Sequence, residues 1–486
     1  MSNFKKNAMK KYIYQLIILS GVALAAGSCS KSRLNPVSST DIPSNFVFLT
    51  KDRIAHQVNG LYAQLKVGNL LGGRGVIYND VRGDNFINMT GNGVTALLIW
   101  NFSVTGSDAE INNTWNAAYN TINQCNLFLE GMTAGGDTVV KDAALVAQYH
   151  GEAKFVRALA YLSLLQLYAQ PYSKDNGASP GLPLRLTGLT ANGHNDLPRS
   201  SVAEVYTQIL SDLNDAEAGV PDDYGDANMN VTHAHKNAVV ALKERVYLHK
   251  GDWDNVITEA NKIVPATAPF KAPSGVANAL AADLKDVFTK YTTPESVLSM
   301  PWTGANEQPG TQNQLAYYYL PDLGNGEYSL NDDGIISDAG WKSTDARRAF
   351  VDTDGDGVSW LRKYPGGDPY VDWVPVIRYA DVLLMLAEAR ARKTNSVDAQ
   401  AVELLNAVRH RSDPTTTFAP ASATELINDI LHERDIEFLG EGLRGPDITR
   451  LLQTFPAKGS AGAIDPSNPA YIFPAPTSET QYNHSW

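Results

Sequence analysis

The chain is short of cysteine: Cys29 and Cys125 are the only two in 486 residues. A disulfide framework is thereby excluded as the source of its stability, and an unpaired thiol in an exported chain is a liability unless it is modified or buried. Positive charge is also in deficit, with 40 Lys and Arg against 52 Asp and Glu and a formal net charge of −12. Without Lys5, Lys6, Lys10 and Lys11 that charge falls by four, to −16. A balance of that sign repels phosphate backbones, so nucleic acid is excluded as a partner. Beyond Ala26 no segment is apolar and long enough to cross a membrane. Neither a glycine-rich phosphate loop nor a GxSxG nucleophile elbow stands between a strand and a helix.

What is present begins at the N-terminus. The four lysines precede a mostly apolar run from Tyr12 to Ala26, interrupted at Gln15, Ser20 and Gly21. This is the build of a secretory signal, too short to span a bilayer. Ala26, Gly27 and Ser28 resemble the lipobox of bacterial lipoproteins, whose following cysteine, here Cys29, becomes the acylated N-terminus; Ala26 stands where an aliphatic residue is usual. The resemblance implies a lipid anchor on Cys29, and an ordinary secretory signal with an incidental thiol is the alternative. Each buried acyl methylene contributes about 0.8 kcal/mol, so several chains hold a protein on its membrane where one does so only marginally.

Helical periodicity dominates the rest, broken by loops rich in Gly, Asn, Asp and Tyr. Thr50 is placed to cap a helix with Ile54, Val58, Leu61, Tyr62 and Leu65 on one face. A second helix is expected over Asp108 to Leu129, and a third over Val139 to Tyr168, dense enough in apolar residues to be buried on most sides. Ser201 and Glu204 form a capping box at the head of a fourth. Two further stretches each read as a pair of helices joined by a short turn, at Lys250 to Asp252 and at Lys393 to Ser396. Paired helices with alanines at the crossings suggest tetratricopeptide-like units of irregular spacing. Between the pairs, from Ala266 to Tyr370, the chain reads as extended and loop-rich, with one strand in ESVLSMPW.

RYADVLLMLAEA and ILHERDIEFLGEGLRGPDITR resemble the SusD/RagB family, nutrient-binding outer-membrane lipoproteins of Bacteroidetes. VNGLYAQL, GEAKFVRALAYL, LYAQPY, GLPL, ALKERVYLHKGDW and IFPAPTSETQYNHSW follow the family order along nearly the whole mature chain. The resemblance implies a mainly α fold, a tetratricopeptide-like helical scaffold with long loop-rich insertions and a few short strands. It also implies pairing with a SusC-like TonB-dependent transporter. The expected organisation is a signal over 1–28, an N-terminal region over 29–230 and a C-terminal region over 231–486, the two regions forming one compact unit. Surface-exported members often carry acidic residues after the cysteine, whereas SKSRLNP with Lys31 and Arg33 follows here, so outward display is implied by the family and not by this signal. Pocket residues of starch-binding members lie in variable loops, and none is carried over by motif.

In LHERDIEFLGEGLRGPD, Ile436 occupies the place a second zinc-binding histidine would need, so the zincin reading fails. Glu433, Arg434, Glu437, Glu441 and Arg444 are expected instead to pair as structural charges. In VDTDGDGVSW, Asp352, Asp354 and Asp356 match the first half of a calcium loop, but Lys363 stands where an EF-hand has its bidentate Glu. A partial calcium site completed by a distant carboxylate is one reading and a solvated Asp-Gly turn the other. No cofactor is required by either. His233 and His235, two apart on a helix start, point away from each other and are expected to be solvated.

The aromatics remain. Tyr78, Trp100, Trp302, Tyr317, Tyr318, Tyr319, Tyr328 and Trp341, with Trp360, Tyr370 and Trp373, are expected in exposed loops as platforms for sugar rings. Packing of those loops on the body is the bland alternative. Asp80, Arg82, Asp84 and Asn85 are the candidate polar contacts, in YNDVRGDNFIN. The sequence therefore reads as a lipid-anchored outer-membrane binding protein without a catalytic centre, capturing an oligosaccharide for the transporter. A peptide-binding member of such a system, a surface glycoside hydrolase and an assembly scaffold are the rivals.

Overall fold

The computed structural model describes residues 47–190, 195–304 and 307–486, so the signal and Cys29 lie outside the described residues. Helix α1 (Lys51–Leu65) opens at Thr50, whose hydroxyl accepts the Arg53 amide at 3.3 Å, and it buries the five residues its periodicity singles out. A short α2 (Arg74–Val81) precedes the long α3 (Ala109–Gly131) and α4 (Ala143–Tyr168). The single helix expected from Val139 is broken, because Lys141 takes a left-handed φ of 65° and Asp142 restarts the chain by capping Ala144 and Leu145. Helix α5 (Val202–Gly219) starts with the Ser201–Glu204 capping box.

Helices α6 (Lys236–Lys250) and α7 (Trp253–Ala260) turn on Gly251, which ends α6 at φ 69°, a conformation costly for any residue with a Cβ. After the short α8 (Leu315–Tyr319) come α9 (Tyr379–Thr394), α10 (Ala399–Ser412), α11 (Ala423–Glu437) and α12 (Arg444–Arg450). Neighbouring helices pack in sequence: α3 on α4, α4 on α5, α5 on α6, α6 on α7, α7 on α9, and α9 on both α10 and α11. The mainly α, helix-pair architecture expected from the sequence is the one observed.

The region 266–370 is less extended than its composition suggests, since LAYYY within it is the helix α8. Its strands form isolated antiparallel pairs. Phe86–Asn88 pairs with Tyr328–Leu330, Ser296–Met300 with Val374–Arg378, and Val351–Thr353 with Ser359–Leu361. The strand expected in ESVLSMPW is therefore present and wholly buried.

The charged turn after α11 is tied far beyond its own helix. Arg347 reaches Glu433 at 2.7 Å and Glu437 at 2.8 Å, Arg378 reaches Glu437 at 2.8 Å, and Lys363 reaches Glu441 at 2.8 Å. Arg434 joins Asp381 and Asp447, and Arg444 joins Asp84. Burial alone would raise the Glu437 carboxyl, but Arg411, Arg378 and Arg347 overcome it and hold that group well below its usual range.

Candidate functional site

The two segments singled out for ligand contact are brought together. YNDVRGDNFIN and QNQLAYYYLPDLGNGEY meet where Phe86 pairs with Leu330 and Asn88 with Tyr328. The expectation that their rings are exposed is corrected for most of them. Tyr78 lies in α2 and is sealed from solvent, as are Tyr318, Tyr319 and Tyr328, with Tyr318 stacked on Tyr328 at 6.1 Å. Trp100 is buried and its indole donates to the Phe86 carbonyl at 2.8 Å. Trp341 is buried under the Arg348 guanidinium, and Trp360 donates to Asp354 at 2.8 Å. Large rings on loops that lie directly against a helical body gain more by burial than by display. Trp302, Tyr317, Tyr370 and Trp373 stay partly exposed.

The four candidate polar residues are likewise turned inward, and all reach the C-terminal part of the chain. Asp80 accepts the Gly442 amide at 2.7 Å, and burial raises its carboxyl well above the ordinary range. Arg82 donates to the Tyr471 carbonyl at 2.5 Å among the rings of Phe102, Phe455 and Phe473. Asp84 pairs with Arg444 at 2.8 Å, and Asn85 donates to Asp435 at 2.7 Å while accepting the Ile335 amide. These groups brace the loops rather than face outward.

The three aspartates of the candidate calcium loop sit on a β-hairpin. Asp354 accepts the amides of Asp356 and Val358 and the Trp360 indole, and Asp352 pairs with Arg362. Among the described residues no group of three or more His, Cys, Asp or Glu side chains is placed to hold a metal ion. The string GASPG, 177–181, lies in a turn rather than a strand-to-helix elbow, with the Ser179 hydroxyl donating to Asp175 at 2.6 Å.

What the loops do present is an exposed, braced loop and, elsewhere, a tryptophan beside a cleft. Residues 89–94 form an exposed loop in which Met89 is 46% and Val94 56% exposed. The buried Glu327 carboxylate underpins it, accepting from Thr90, from Asn92 at 3.2 Å and from Asn325 at 2.7 Å. The loop after Ser296–Met300 runs back over the end of α1. There the Lys66 ammonium lies 4.8 Å from the Trp302 ring and donates to Pro301 and Glu307. Gly72 lets the ring lie against the backbone, since a Cβ there would come within 2.7 Å of it. Beside it opens a cleft of about 340 Å³ lined by Asn59, Tyr62, Lys66, His233, Thr303 and Glu307.

The cleft has a buried polar floor. The Tyr62 hydroxyl donates to Glu152 at 2.9 Å and accepts the Ala234 amide at 2.9 Å. Burial raises the Glu152 carboxyl to about 7, with the hydrogen bonds from Gln148 and Tyr62 opposing the rise. His233 packs on Tyr62 at 4.5 Å and reaches Asn59 at 3.0 Å; burial lowers it to about 4. His235 is fully buried beside the Val297 carbonyl and is likewise lowered to about 4. The expectation that these histidines are solvated is thus corrected, because the short helix they follow packs onto Ser296–Met300. Sequence reasoning missed this cleft, since its walls come from residues more than two hundred positions apart and no motif joins them.

Comparison with known proteins decides the family. Residues 35–248 match a family model described as "Starch-binding associating with outer membrane", and residues 363–484 match the SusD family model. A crystal structure of a SusD superfamily protein from Bacteroides fragilis aligns with a TM-score of 0.81 and 34% identity, covering 90% of this chain and 99% of that one. The chain belongs to the SusD family. A SusD-like protein of Formosa agariphila is 22% identical over 448 residues, 80% of this chain and 81% of its own. A structure described as a putative sugar binding protein from Bacteroides vulgatus shares the fold at a TM-score of 0.77 and 22% identity, covering 90% of this chain and 97% of its own. No described helix of this SusD-family chain is long and apolar enough to cross a membrane.

Proposed function

We propose that the protein is a cell-surface receptor that captures an oligosaccharide and delivers it to a SusC-like TonB-dependent transporter of the outer membrane, without cleaving it. The observation that carries this reading is the partly exposed Trp302 ring, held over Lys66 beside a polar cleft. A partly exposed indole, with the Asn59, Lys66, Thr303 and Glu307 side chains lining the adjoining cleft, supplies the mixture of apolar face and hydroxyl partners that a sugar requires. A family description naming starch binding and the outer membrane supports the ligand class and the location. Acylation of Cys29 is the anchor in this reading, and replacing Cys29 with Ser is expected to move the protein from the membrane to the soluble fraction.

Calorimetry of the mature protein against soluble polysaccharides tests the reading. Binding of at least one glycan, weakened by Trp302→Ala and unaccompanied by release of reducing ends, is the expected result. Binding of peptides in place of every glycan, or turnover of the bound sugar, overturns it. Co-purification from the native outer membrane with a TonB-dependent barrel protein tests the partner.

A further inference from the structure

A second cleft, of about 400 Å³, lies between α3 and the last residues of the chain, away from the Trp302 surface in its lining. Helix α3 carries six asparagines between Asn112 and Asn126, an uneconomical choice for a helix interior. Half are accounted for by the segments they hold. Asn112 donates to the Gly106 carbonyl and accepts the Ser478 amide, Asn123 exchanges hydrogen bonds with Leu189, and Asn126 holds the carbonyls of Arg185 and Thr187. Asn116 accepts only from Ser478, and Asn120 has no side-chain partner among the described residues. Residues 116, 120 and 123 follow one another on a single helix face, and that face lines the cleft.

The opposite wall supplies a ring. Tyr482 is 72% exposed at the rim, and its hydroxyl has no partner among the described residues. Tyr119 and the edge of Trp115 form the apolar floor, with centroids 4.7 Å apart. At the base Arg185 and Glu479 neutralise each other at 3.1 Å, and Asn483 donates to Glu479 at 2.7 Å, so no net charge is offered to a ligand. Unpartnered amides, a free ring and a charge-neutral base select a neutral, hydroxyl-rich molecule, and the volume falls in the range of small-molecule sites, roughly 300–1,000 Å³.

We propose that this cleft is a second carbohydrate-binding site, taking a short neutral oligosaccharide that stacks on Tyr482 and bonds through its hydroxyls to Asn116 and Asn120. The inference rests on the protein's role in sugar capture and adds a site distinct from the Trp302 surface.

Calorimetry with neutral gluco-, manno-, xylo- and galacto-oligosaccharides tests it, on the mature protein and on Tyr482→Ala, Asn120→Ala and Trp302→Ala. Both Tyr482 and Asn120 are exposed, so their variants keep the fold. The expected result is a weakening of about tenfold in Tyr482→Ala and severalfold in Asn120→Ala for sugar binding that persists in Trp302→Ala. Binding that Trp302→Ala abolishes and the other two leave intact overturns the second site and keeps the first. A response of short peptides, and not of sugars, to Tyr482→Ala overturns it as well. Failure of every sugar to bind the unaltered protein overturns both readings.

Discussion

Arg378 Nε donates to Glu441 at 2.7 Å, with the two side chains 1% and 2% exposed, so the end of a strand is locked to the turn after α11. Arg378 also meets Glu437, which Arg347 and Arg411 share. Removing one member leaves the others buried and unmatched. Glu437→Gln is expected to lower unfolding stability by about 3–5 kcal/mol. Urea denaturation monitored by circular dichroism measures this, and a change below about 1 kcal/mol would show the network to be slack.

Glu152 gives a stability effect that grows as pH rises. Its carboxyl lies at about 7 in the folded chain against an ordinary 4.5. Between those values the folded protein holds a proton that the unfolded chain has released, so stability falls as pH climbs through this window, by up to about 3 kcal/mol. Replacing Glu152 with Gln is expected to remove that component. It is read as the difference between the two proteins' melting temperatures from pH 5 to 8, and a difference that does not change with pH contradicts it.

His235 acts in the opposite sense. Burial lowers it to about 4 from 6.5, so below about pH 6.5 the unfolded chain takes up a proton that the folded one refuses. Its contribution is complete above 6.5 and is lost as pH falls toward 4. His235→Gln should flatten the acid side of the stability profile. An unchanged acid slope would place a charged, solvated imidazole there instead.

The Trp302 surface depends on a close backbone approach. A Cβ on Gly68 would lie 2.0 Å from the Pro309 carbonyl, so Gly68→Ala must push the 307–314 loop off the end of α1. Glycan affinity is expected to drop by roughly tenfold, about 1.4 kcal/mol, with far less effect on the melting temperature. Equal losses in both would mean that the glycine serves the core alone.

The helices were legible because each carried its own instructions. Thr50, Ser201 and Asp252 cap where hydroxyl or carboxylate residues precede an amphipathic run, and Gly251 ends α6 where only glycine is at ease. The loop rings were misjudged for a definite reason. Exposure of Tyr78 or Tyr328 is decided by partners such as the Phe473 ring and the Thr95 carbonyl, 395 and 233 positions away, and local sequence holds no record of such distances. The same limit hid both clefts. Asn116 and Asn120 gain a facing wall only from Glu479, Tyr482 and Asn483, more than 350 positions further on.

The brace from Asp80 to Gly442 and from Arg82 to Tyr471 spans some three-quarters of the polypeptide. A chain threaded through a membrane N-terminus first would carry its early loops across long before their C-terminal anchors arrive. Until the last residues emerge, those loops would have nothing to fasten to, so in an exported chain their ordering would await completion of translocation.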